Sequence, residues 1–371
     1  MNLRENFMAI LNHEPFERMP IVHFGFWDQT LEKWCAEGHM TEAEKEKAME
    51  YPYDPNSCVH KKLGFDYYWC QDYTTINCLY PAFEKKLIEV TPDGFEVYQN
   101  QHGVHELHKD NISSVRAEIS HTLKDRESWE TEFLPRLQIC KERFDPALYA
   151  GMFDEQQEYP VVRNCGSLFG MIRNWMGVEG ISYLYADDEA LYDEIIETLG
   201  NLTYDVAKGV FEAGARFDIF NLWEDICFKN GPLVNPAVYH EKVGPQYKKI
   251  TELAKSYGCP LVSVDCDGYI DSLIPTWFEN GVNVMFPIEV GTWNGNIKPW
   301  REKYGKELRG VGGMNKSVFA QDYKAVDNEI ERLKPLVALG GFVPFPDHYL
   351  SPDAKWENVQ YYCDKMRSVI W

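Results

Sequence analysis

The sequence predicts an α/β fold of the (β/α)8-barrel class (a TIM barrel), carrying an N-terminal helical extension and an antiparallel β insertion. Three observations predict it. Short apolar runs alternate with longer amphipathic stretches over the second half of the chain, and the connections between them are short, which implies a parallel sheet. No G-x-G-x-x-G follows an early strand, as a doubly wound dinucleotide fold would require. Polar residues follow nearly every apolar run, the pattern of barrel enzymes, which place their chemistry where strands end. A length of 371 residues suits one such domain, 1–371, with insertions.

Taken in order, residues 1–60 read as helical and acidic apart from one short apolar run, Pro20-Ile21-Val22-His23-Phe24-Gly25. The segment 87–115 alternates apolar and polar residues around the turn signals Pro92-Asp93-Gly94 and His102-Gly103, which predicts the β insertion. Strands are then expected at 160–164, 218–222, 261–264, 282–286, 308–311 and 342–344, with helices over 188–210, 237–257 and 322–339. Several helices end in a glycine just before the next strand, as at Tyr257-Gly258-Cys259 and Asn280-Gly281-Val282, because glycine enters the left-handed conformation without strain. The run at 20–24 adds a seventh strand, and 148–153 is the candidate for an eighth.

Acidic residues outnumber basic ones 58 to 37, giving a net charge of −21. Such a surface opposes nucleic acid and anionic membranes, both polyanions, so neither is an expected partner. The ten cysteines form no CxxC pair, and the N-terminal MNLRENFMAILNHEP lacks a signal peptide's apolar core. Reduced thiols and a cytoplasmic location are expected. Aromatic residues make up 14% of the chain. That content fits an aromatic-walled cavity, and equally an ordinary core with subunit contacts such as those of a homodimer.

The polar residues at or just past the apolar runs are His23, Asn164, Asn221 with Glu224 and Asp225, Asp265 with Asp267, Glu289, Asn315 with Lys316, and Asp347 with His348. The richest cluster is Val264-Asp265-Cys266-Asp267-Gly268. Two carboxylates buried there need a cation or a basic partner, since an unpaired buried ion costs several kcal/mol, about the scale seen for isolated charges. Equally, Asp267-Gly268 can form a turn and Asp265 can cap a helix. His348 reads as a ligand across the barrel mouth or as a satisfied structural histidine. Glu224, Asp225 and Glu289 either complete an oxygen-rich ring or are solvated loop charges. Lys316 either pairs with an acidic group or lies on the surface near a helix start. Aspartate, glutamate and histidine together suit Zn²⁺, or a harder divalent ion where oxygen dominates.

The stretch from Asp265-Cys266-Asp267-Gly268 to Pro275 resembles the His-x-Cys-Gly-Asn segment of the uroporphyrinogen decarboxylase superfamily. The resemblance continues in order through Cys165-Gly166-Ser167, Trp223-Glu224-Asp225, Pro287-Ile288-Glu289, Gly312-Gly313-Met314-Asn315-Lys316 and Gly340-Gly341 to Asp347-His348; no single motif is specific, but the ordered set is. The haem-pathway decarboxylase carries arginines after its first strand to hold an acidic porphyrinogen. The matching stretch here, Arg18 to Trp27, has none beyond the strand, which points to the corrinoid-dependent methyltransferase branch.

Those methyltransferases bind Zn²⁺ through the His and Cys of His-x-Cys and a later Cys, and the matching positions hold Asp265, Asp267 and His348. The resemblance thus implies Zn²⁺ on these three residues, with Glu289 or Glu224 as a further ligand. His23, Asn164, Glu224, Asp225 and Lys316 are then the candidate catalytic and substrate-orienting residues. It implies methyl transfer between a small methylated substrate, a methoxylated aromatic being one candidate, and cobalamin or another corrinoid. With no Asp-x-His-x-x-Gly signature in the chain, that corrinoid is expected on a partner protein. Two other readings are a decarboxylase or lyase of a small acid, and a ligand-binding barrel without catalysis.

Overall fold

A computed structural model describes residues 1–52, 54, 57–72, 76, 78–108, 117–149 and 157–371. Its strands are β1 (Val22–His23), β2 (Tyr67–Tyr68), β3 (Gln71–Asp72), β4 (Lys86–Val90), β5 (Glu96–Gln99), β6 (Val104–His108), β7 (Ala117–His121) and β8 (Val162–Asn164). They continue with β9 (Ile219–Trp223), β10 (Cys227–Phe228), β11 (Gly231–Pro232), β12 (Leu261–Asp265), β13 (Val284–Ile288), β14 (Arg309–Met314) and β15 (Phe342–Pro346). The core is a seven-stranded sheet in the order β15-β14-β13-β12-β9-β8-β3. Every pairing in it is parallel. Parallel neighbours require crossovers, and helices such as Glu189–Glu212, Gly244–Ser256 and Tyr323–Val337 supply them.

β1 pairs in parallel with β2, which lies just before β3 in the chain. On its other side β1 packs against β15. Just beyond, Phe26 bridges Leu350, and the Leu350 amide donates to the Gly25 carbonyl at 3.0 Å. The first strand therefore touches both the second and the last. The parallel sheet brings the C-terminal ends of its strands to one side of the molecule.

The strands expected from apolar runs are found at β1, β8, β9 and β12 to β15. Of the candidate eighth at 148–153, Leu148 ends a short 3-10 turn, Pro146–Leu148, and 150–153 lie outside the described residues. A further parallel segment not expected from the sequence is Tyr67–Asp72, broken into β2, which pairs with β1, and β3, which pairs with β8. The insertion is a four-stranded antiparallel sheet, β4-β5-β6-β7, whose last strand, Ala117–His121, lies wholly beyond the expected end at 115; 109–116 lie outside the described residues. The helix expected over 237–257 is two, Pro236–Lys242 and Gly244–Ser256. Pro245 sits in the first turn of the second, where its missing N–H is harmless, whereas inside one long helix it would break the ladder. Among the described residues no helix is long and apolar enough to cross a membrane.

Candidate active site

At the C-terminal side of the sheet lies a cavity of about 340 Å³. Its floor is acidic. Asp265 is the last residue of β12, Asp267 follows two positions later, and Asp225 lies two positions past β9. Carboxylate oxygens of Asp225, Asp265 and Asp267 lie within 4.8 Å of one another. The two loops are tied together, because the Asp267 amide donates to Asp225 Oδ1 at 3.0 Å. Asp225 holds this position with a left-handed φ of 46°, a conformation costing a non-glycine residue roughly 1–2 kcal/mol.

Burial and nearby negative charge raise the pKa values of Asp265 and Asp225. Burial, then the charges of Asp225, Asp267 and Glu289, hold the Asp265 carboxyl well above its ordinary range. Burial and then Asp267 push Asp225 up to about 6. Arg173 opposes the rise in Asp225, yet its guanidinium donates to the Asp225 carbonyl oxygen, at 2.7 Å, rather than to the carboxylate. Asp267 Oδ1 is buried with no hydrogen-bond partner among the described residues. This concentration of carboxylate oxygens fits a hard divalent cation, which neutralises the charge and occupies unsatisfied lone pairs.

His348 supports the floor from the opposite side. The Tyr349 amide donates to its Nδ1 at 2.8 Å, which leaves the ring proton on Nε2, and Nε2 donates to Asp267 Oδ2 at 3.0 Å. The imidazole also stacks on Trp27, with ring centroids 5.8 Å apart at 22°. Aromatic rings of Phe24, Trp27, Tyr68, Trp223 and Tyr349 wall the cavity, and the amides of Asn164 and Asn221 complete it. Asn221 is buried, accepts from Ser263 Oγ at 2.6 Å, and leaves its Nδ2 without a partner among the described residues.

Of the residues singled out from the sequence, Asn164, Asn221, Asp225, Asp265, Asp267 and His348 line this cavity. The other six are placed differently: Asn315 caps the turn that follows it, Asp347 accepts from the Val290 and Gly291 amides, and four more have partners of their own or lie behind the wall. Glu224 is fully buried and accepts from the backbone amides of Leu168, Phe169 and Gly170 at 3.0, 2.9 and 2.6 Å and from Tyr247; it caps the helix that begins at Gly170. Glu289 accepts from the Gly268 amide at 2.6 Å and from Thr292 Oγ1 at 2.9 Å, fixing the turn behind Asp267. Gly268 is required there: its φ is +89°, and a Cβ would lie 2.7 Å from the Cys227 carbonyl oxygen.

Lys316 sends its Nζ to the Tyr349 carbonyl at 2.8 Å, beside His348 rather than into the cavity. His23 is buried among the rings of Phe26, His60, Phe65 and Tyr68, behind the wall, and burial lowers its pKa. The aromatic content of the sequence fits such a wall without naming its residues, Phe24, Trp27, Tyr68, Trp223 and Tyr349. A signal for three of them was nevertheless present, since Trp27, Trp223 and Tyr349 each stand at or within a few residues of a strand end.

No protein-family model and no curated protein matches the chain. Among solved structures it is similar to a methyltransferase from Methanosarcina mazei, with 14% identity over 99% of this chain and 98% of that one and a TM-score of 0.59. The two share a fold. A B12-independent methionine synthase from Shewanella sp. W3-18-1, solved with selenomethionine, matches 49% of this chain and 57% of its own at 12% identity, with a TM-score of 0.34.

Proposed function

We propose that the strands close into an eight-stranded barrel and that the chain is a methyltransferase of the uroporphyrinogen decarboxylase superfamily. It moves a methyl group between a small methylated substrate and a corrinoid carried by a partner protein. The observation that carries this reading is the convergence of Asp225, Asp265 and Asp267 in an aromatic cavity. Two of them, with His348, stand at the positions where the resemblance places the zinc ligands of the corrinoid-dependent enzymes. The fold shared with the Methanosarcina methyltransferase supports it further.

Asp225, Asp265 and Asp267 would hold a divalent ion, and His348 orients Asp267 by its hydrogen bond, as outer groups commonly orient metal ligands. Three carboxylates favour a harder ion than zinc alone, with Mg²⁺ and Mn²⁺ beside Zn²⁺ as candidates. When bound, such an ion supplies a Lewis acid beside the substrate, and the corrinoid supplies the nucleophile or the methyl donor. The chain itself binds the substrate between rings, orients it through Asn164 and Asn221, and keeps water away from the reacting carbon. A decarboxylase acting on a small acid fits less well, because no lysine or arginine is among the described residues lining the cavity to pair with a carboxylate.

The test is metal analysis of protein purified without chelator, joined to an absorbance assay with reduced cobalamin and a panel of methylated donors. Near-stoichiometric metal that is lost in Asp265→Asn, together with cobalamin methylation that depends on the enzyme, is the expected result. Absence of metal with unchanged stability in chelator would overturn the metal site. Failure of every donor would overturn methyl transfer.

A further inference from the structure

We infer that the substrate is a methylated onium compound, a quaternary ammonium or sulfonium ion that also carries a hydrogen-bond-accepting oxygen. This inference rests on the site proposed above and names its substrate class. The first ground is charge. Among the described residues three carboxylates line the cavity and no lysine or arginine does; Lys316 is held by the Tyr349 carbonyl and Arg173 by that of Asp225. With the carboxylates ionised and a divalent ion on them, the lining still carries a net negative charge. Anionic substrates are repelled and cationic ones attracted.

The second ground is the wall. Five aromatic residues, Phe24, Trp27, Tyr68, Trp223 and Tyr349, line one small cavity. Ring faces carry negative electrostatic potential, and cages of such rings recognise quaternary ammonium groups without needing a hydrogen bond from them. The third ground is Asn221, a buried donor that lines the cavity with its Nδ2 unpaired among the described residues. A buried donor without a partner is costly, so a ligand oxygen belongs there. A quaternary nitrogen has no lone pair for a metal, so the oxygen end of the substrate faces the ion and Asn221 while the onium end lies among the rings.

The chemistry suits the charge. The carbon–nitrogen bond breaks with its electron pair going to nitrogen, which leaves a neutral tertiary amine, and the methyl carbon accepts the electron pair of the corrinoid nucleophile. The leaving group therefore needs no protonation, and no general acid is required beside it.

The probe pair is choline and its neutral carbon isostere 3,3-dimethylbutan-1-ol, titrated into the intact chain by calorimetry and by tryptophan fluorescence, with and without Mg²⁺. Choline is expected to bind at least tenfold more tightly than the isostere and to perturb tryptophan emission through Trp27 and Trp223. Asp265→Asn is expected to shrink that preference. Equal affinity for the two, or no saturable binding of choline, overturns the inference, and this comparison needs no variant to fold. The two proposals fail separately. Methyl transfer from neutral donors without a choline preference leaves the methyltransferase standing and removes the onium substrate. A choline preference without any methyl transfer does the reverse.

Discussion

Replacing Asp225 by asparagine separates electrostatic repulsion from simple packing at the cavity floor. Burial and Asp267 push the Asp225 carboxyl from 3.8 up to about 6. Each pKa unit corresponds to ~1.4 kcal/mol, so ionised Asp225 destabilises the metal-free fold by about 3 kcal/mol. Because the folded-state pKa lies above the unfolded one, the penalty is absent below pH 3.8 and grows as pH rises toward 6. Above that it is complete. The Asp225→Asn substitution preserves an acceptor for the Asp267 amide and removes the charge. The metal-free variant is therefore expected to be more stable than the natural chain by about 1–3 kcal/mol at pH 8 and equal to it at pH 4.

Unfolding entropy of roughly 2.1 cal/mol/K per residue over 371 residues converts this into a Tm rise of about 1–4 °C. The assay is scanning calorimetry at one scan rate in chelator at both pH values. Added divalent metal should reverse the order at pH 8, because the natural chain gains binding energy that the variant has lost. A lower Tm for the variant in chelator at pH 8, or the same shift at pH 4 and pH 8, would refute the repulsion argument.

Two further substitutions test the parts of the site that do not face the cavity. In Gly170→Ala the new Cβ would meet the Glu224 carbonyl oxygen at 1.9 Å, so the helix start and the strand end carrying Asp225 cannot both keep their places. A fall in Tm of several degrees, or loss of soluble protein, is expected, and a variant of natural stability would contradict the packing. His23→Leu keeps the volume while removing two ring nitrogens that are buried without partners among the described residues, a burial that costs about 1–3 kcal/mol when uncompensated. Unchanged or higher stability with methyl transfer within twofold of the natural chain is expected. Loss of turnover at unchanged Tm would show that His23 acts on the reaction.

The legible parts of the fold were those with one physical signature. β12, β13 and β15 are buried along nearly their whole length, because helices cover one face and the interior the other, and this writes a continuous apolar run into the sequence. The strand at Tyr67–Asp72 left no such run. Aromatic and polar side chains are mixed within it, and its extended form is fixed by pairing with β1 and β8, partners distant in the chain. The break at Val243 was readable in principle from Pro245, although the apolar period runs across it.

At the site, the sequence by itself determined which strand ends carry polar groups and that an acidic pair stands at Asp265 and Asp267. It could not determine which of those groups face one another. Glu224 and Asp225 are adjacent, yet one carboxylate is consumed by the backbone amides of Leu168 to Gly170 and the other turns into the cavity with a left-handed backbone. Glu289 is likewise consumed by Gly268 and Thr292, while Asp225 joins the acidic group in its place. Hydrogen-bond donors from distant segments make that choice, and their positions exist only once the strands have assembled side by side.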